Sequence, residues 1–194
     1  MSVWFITGVK DDSSSYWPFA GPNLASQLTT AGKTFAGYSQ GLNSGTNFLS
    51  YHSPWLHWSG VPASEQLDWS QFPADYTKLP NVSIVVPDSC NDMHNCSISK
   101  GDTWLKNNLD GYAQWAKTHN SLLYVTWDED GGAGGTTAVN HIAAVATGEH
   151  LNPGAYGTTF NHYGVLGVVE HAFGLPRLNN SVGARFPLAA LGSW

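Results

Sequence analysis

The sequence predicts an α/β fold, a mostly parallel sheet with helices on both faces, and two observations carry that reading. Two short apolar runs, Val82 to Val86 and Leu122 to Trp127, have the continuous hydrophobicity of strands buried in a parallel sheet. Between them lies a helix-period segment in which Trp104, Leu105, Leu109, Tyr112, Trp115 and Ala116 share one face. A helical crossover between two apolar strands is the ordinary way to join parallel neighbours.

The remaining elements follow in order. Pro22, preorganised for a first helical turn, opens a short helix through Leu24, Ala25 and Leu28 that Gly32 stops. Lys33 to Ser39 reads as a strand. From Gly41 to Leu79 the chain is rich in Ser, Pro, Trp and His without a period, which predicts a long surface excursion. Asp102 is the expected N-cap of the crossover helix, which ends near His119 and Asn120. Ile142 to Val145 gives another strand, and Tyr163 to Phe173 a helix ended by Gly174 and Pro176. No repeat or low-complexity tract divides the chain, so residues 1–194 are read as one domain.

Composition narrows the partners. Eight Lys and Arg against fourteen Asp and Glu give a net charge of −6, which repels a polyanion and argues against nucleic acid as a partner. No apolar run reaches the roughly 18 residues of a membrane helix, so no membrane span is expected. Cys90 and Cys96 are close enough to bridge; a disulfide there implies an oxidising compartment, and hence a secreted, periplasmic or cell-surface protein. Two free thiols remain the alternative.

In an open parallel sheet, ligands bind beyond the carboxyl ends of the strands. Two polar clusters fall there: Asp88, Asn91, Asp92 and His94 after the first apolar run, and Asp128, Glu129 and Asp130 after the second. Adjacent carboxylates repel one another, and a divalent cation relieves that repulsion. Taken alone, the acidic triplet reads first as a solvated loop and second as a metal site. Gly131 to Gly135 offers backbone freedom to wrap a ligand, or simply a flexible connection. His52 and His162 are candidates that fit structural roles as well, and the nine Trp serve first as core, with a sugar-binding surface as a weaker reading.

Five strings occur here in the order found in the phosphoesterase family, which groups bacterial acid phosphatases with phospholipase C enzymes. They are Pro22-Asn23-Leu24-Ala25, Asn91-Asp92-Met93-His94, Gly101-Asp102-Thr103-Trp104-Leu105, Thr126-Trp127-Asp128-Glu129-Asp130 and Phe173-Gly174-Leu175-Pro176. The family resembles a branch of the alkaline phosphatase superfamily. The resemblance implies metal-dependent hydrolysis of phosphoric esters, on small-molecule or lipid substrates. It carries Asp128 and Glu129 over as ligands of a divalent metal ion of unspecified identity. It places His94, Asp92 and His52 beside the phosphate, where imidazolium donates hydrogen bonds or protonates the leaving oxygen.

The family's nucleophile, in a Pro-Ser-x-Pro-Asn-Tyr-like segment, precedes the strings that resemble Phe5-Ile6-Thr7-Gly8. The chain is therefore expected to match the C-terminal two-thirds of the family domain and to hold part of the site. Thr7, Ser13, Ser14 and Ser15 do not occupy the nucleophile's motif position. Basic residues are also thinned, since relatives often carry Lys, Arg and Arg where this chain has Tyr51, His141 and Gly167. An alternative function follows: a non-catalytic binding protein with a degenerate phosphate or metal site.

Overall fold

The computed structural model describes residues 18–42, 47–131 and 139–192. Thr7, Ser13 to Ser15 and Gly132 to Gly135 lie outside them. Helix α1 (Leu24–Thr30) begins two residues later than its proline implied, because Asn23 takes the cap. Its side chain accepts from Ser26 N at 3.0 Å while Ser26 Oγ accepts from Asn23 N at 3.1 Å, a reciprocal box that satisfies two otherwise orphaned donors. Leu24, Ala25 and Leu28 are buried, and Gly32, at φ +69°, ends the helix in the left-handed region that glycine tolerates.

Strand β1 (Phe35–Ser39) is buried at every position because it is the middle strand of a parallel three-stranded sheet. On one side it pairs with β3 (Val82–Val86), from Phe35 opposite Val82 to Ser39 opposite Val86. On the other it pairs with β2 (Gln66–Asp68), a strand set inside the excursion that the sequence reading treated as irregular. Three residues without apolar alternation carry no strand signal; backbone pairing to β1 makes the strand.

The core joins α1 and β1 to Trp55 and Trp58 of the excursion and to Leu166, Leu175 and Leu178 from the C-terminal part. Trp55 is wholly buried against Gly37, where a β-carbon would stand 2.2 Å from the indole. The middle strand therefore needs glycine at that position. Tyr76 meets Tyr112 edge-on at 5.4 Å and so seats the end of the excursion on the crossover helix.

That helix, α2 (Ile98–Ala116), starts a turn earlier than expected. Ser97 caps it, and Asp102 lies exposed inside it. It leads to β4 (Leu122–Thr126), which pairs with β5 (Ala144–Gly148), shifted by two residues from the expected strand. Among the described residues the β4–β5 pair forms a separate, antiparallel two-stranded sheet, correcting the parallel expectation for these strands. No helical pattern lies between them, and a parallel return needs a crossover of that kind. β3 and β4 also differ from the buried strands their apolar runs suggested: all five residues of each are only partly covered. Among the described residues β3 pairs with β1 alone, and β4 with β5 alone. Helix α3 (His162–Ala172), capped by Asn161, completes a mixed α/β architecture.

Candidate active site

The loop after β3 is built by its own polar side chains. Asp88 Oδ1 accepts from the amides of Cys90 and Asn91 at 3.1 and 2.9 Å, turning the chain sharply after the strand. Gln40, one residue beyond β1, accepts from Asp88 N and Asn91 Nδ2, each at 3.1 Å. The carboxyl ends of β1 and β3 are thus tied together. The Cys90–Cys96 disulfide closes the loop around Asp92 and His94. Met93, at φ +77°, packs on buried Gly101 of α2, where a β-carbon would lie 2.5 Å from the Met93 side chain. The glycine of the Gly-Asp-Thr-Trp-Leu string is therefore the seat of this loop.

Within that frame Asp92 meets His52, which sits on the 3-10 turn Ser50–His52 of the excursion. His52 Nδ1 donates to Asp92 Oδ2 at 2.7 Å, with both side chains largely covered. Asp92 Oδ1 accepts from His94 N at 2.8 Å. The His94 ring stands edge-on to His52, with centroids 5.0 Å apart, and Tyr51 flanks the other side at 4.8 Å. The pairing fixes the His52 tautomer, so Nε2 is the nitrogen left for a ligand.

The second cluster joins the first through backbone contacts. Trp127 Nε1 donates to the Asp92 carbonyl at 3.2 Å. His162, buried on the first turn of α3, donates from Nε2 to the Asp128 carbonyl at 2.9 Å. Asp130 N is held by Asn140 Oδ1 at 2.9 Å. The carboxyl ends of β1, β3 and β4 therefore converge, with Asp128 and Glu129 exposed at the rim. Among the described residues no three His, Cys, Asp or Glu side chains form a set that could hold a metal ion. Asp128 and Glu129 alone fall short of the six or more oxygens that hard divalent cations usually gather. The described residues do not by themselves fit the expected metal.

The family model for the phosphoesterase family matches residues 7–176. The chain belongs to the phosphoesterase family. It is also similar to the phosphatidylinositol-3-phosphatase of Mycobacterium tuberculosis (strain ATCC 25618 / H37Rv), at 43% identity over 172 residues. That match takes in 84% of this chain and 56% of the relative, so the chain spans little more than half the length of the curated relative it matches.

In this phosphoesterase-family chain, two contributors escaped the sequence reading. Gln40 gave only a weak signal, its place just after a strand. Trp127, read as core, uses its indole N–H to link the two clusters. The Arg177 guanidinium lies where a β-carbon of residue 167 would be, so the glycine leaves room for it on α3.

Proposed function

We propose that this chain takes part in hydrolysis of phosphoric esters, of the acid phosphatase or phospholipase C type, within an alkaline-phosphatase-like domain of which residues 1–194 form the C-terminal part. The observation that supports it best is the His52–Asp92 pair at the converging strand ends, in a chain of the phosphoesterase family. Asp92 holds His52 through Nδ1 and so orients Nε2. His52 Nε2–H then donates to a phosphoryl oxygen or gives its proton to the leaving alkoxide. His94, beside it, offers a second imidazole to the same anion. The name of the mycobacterial relative makes a phosphorylated inositol lipid one candidate substrate, alongside small phosphomonoesters. The disulfide is compatible with export, and we place the protein outside the cytoplasm or in the periplasm.

A divalent ion touching Asp128 and Glu129 belongs to this proposal, with its remaining ligands drawn from beyond the described residues. We assign it no step. The test is turnover of p-nitrophenyl phosphate by the purified chain, with added Mg²⁺, Mn²⁺, Ca²⁺ or Zn²⁺. Turnover lost in both His52→Ala and Asp128→Asn supports the reading. Phosphate binding without turnover under every metal condition turns it to the alternative, a non-catalytic binder with a degenerate site.

A further inference from the structure

A cavity carrying both of the chain's arginines lies on the other side of α3. The chain has only two arginines, Arg177 and Arg185, and both line one cavity of about 260 Å³ together with Thr158, Gly164, Gly167 and Phe186. Among the described residues no acidic side chain lines it. Helical residues advance by about 100° each, so Gly164 and Gly167 lie roughly 140–200° around α3 from His162. The cavity therefore faces away from the His162–Asp128 contact and is separate from the candidate active site.

Both arginines are seated there by the helix glycines. A β-carbon on Gly167 would stand 1.7 Å from Arg177 Nη1, and one on Gly164 would stand 2.0 Å from the Arg185 carbonyl oxygen. Arg177 Nη1 lies 3.7 Å from Glu170 Oε2, so its charge is shared with a fully buried carboxylate. The Arg185 guanidinium has no hydrogen bond or ion pair among the described residues. The cavity thus keeps an excess positive charge in a chain whose net charge is −6. Guanidinium offers a planar fork of donors that matches phosphate oxygens in pairs, and Phe186 supplies an apolar wall beside them.

We propose that this cavity binds a phosphoryl group, with Arg185 as its main donor and Arg177 as its second. The proposal stands apart from the hydrolytic reading, because binding here requires no turnover. The test titrates inorganic phosphate, and in parallel glycerol 3-phosphate, into the full chain by calorimetry. The wild type, Arg185→Gln, Arg185→Lys and His52→Ala are compared. Arg185→Gln is expected to weaken this binding about tenfold or more, and Arg185→Lys to weaken it less. His52→Ala should leave it within about twofold, because that residue lies in the other site. Tighter binding of glycerol 3-phosphate than of inorganic phosphate would identify an esterified headgroup as the ligand, and the reverse order free phosphate. No binding by the wild type, equal binding by Arg185→Gln, or complete loss in His52→Ala would each overturn the proposal. Arg185 is exposed, so its replacement leaves the core intact.

Discussion

His52 and Asp92, forty residues apart in the chain, meet at 2.7 Å in a site whose remaining walls come from three strand ends. The pairing makes a defined kinetic prediction. His52→Ala should lower kcat by about 10²–10⁴, the usual contribution of a positioned acid or base. Asp92→Asn keeps the shape but removes the charge that supports imidazolium, and should lose a comparable factor. Both side chains are largely covered but lie outside the hydrophobic core cluster, so thermal unfolding should shift by only a few degrees. A large drop in stability with activity per folded molecule unchanged would make the pair structural.

This pair also marks where the sequence stopped being informative. Local patterns announced β3, β4 and α2, because each carries its own apolar period or β-branched run. They did not announce β2, whose three residues become a strand only through β1. Continuous apolarity implied burial for β3 and β4, yet each has a neighbour on one side only among the described residues. The site residues stood out as polar clusters at strand ends. Their mutual geometry did not, because Gln40, His52, Asp92, Trp127 and His162 come from five separate segments that only the fold brings together.

Gly101→Ala tests how the loop is held. The added methyl would collide with Met93 and approach the Asn91 carbonyl at 2.8 Å, so the loop must move away from α2. Overpacking of this kind costs about 1–3 kcal/mol. Activity should fall further than stability alone explains, because Asp92 moves with the loop. Urea unfolding alongside kcat at one temperature checks both, and an unchanged kcat would show that Asp92 keeps its place without the Met93 contact.

The Cys90–Cys96 bridge acts on the same loop through the unfolded chain. Closing so small a loop contributes about 2 kcal/mol in the chain-entropy model. The Cys90→Ser, Cys96→Ser double variant should lose roughly that much stability and part of its kcat. Treatment of the wild type with dithiothreitol should reproduce both effects, and reoxidation should reverse them. Equal activity in oxidised and reduced protein would remove the bridge from the site's architecture.

Glu170 gives a pH signature distinct from that of the site. It is fully buried on α3 and accepts from Leu178 N and Ser181 Oγ, each at 2.7 Å. Burial pushes its carboxyl above the usual range, outweighing the hydrogen bonds and Arg177, which pull the other way. A raised native pKa means that the protein holds this proton more tightly folded than unfolded. The resulting stability is fully present below the unfolded value near 4.5 and is lost as pH rises through the folded value. Relative to Glu170→Gln, the wild type should therefore lose stability across that window as pH increases. Denaturant midpoints measured from acid to neutral pH check the sign, and a wild type that gains on the variant as pH rises would reverse it.

Among the described residues β3 has a strand neighbour on one side only, which bears on association. Trp127 Nε1 reaches the Asp92 carbonyl, so the loops beyond β3 and β4 touch, although the two strands are not paired among the described residues. Val82, Ile84 and Val86 pack on the core while remaining partly exposed, and among the described residues β3 pairs on one side only. Unprotected edges of apolar strands favour pairing between chains. Sedimentation velocity on the purified chain should show association that grows with concentration. Val85→Lys, which places a charge on this strand away from the three core-packed positions, should shift the population toward monomer. A wild type that remains monomeric at every concentration and melts in one sharp transition would mean that the half-covered strand is sufficient as it stands.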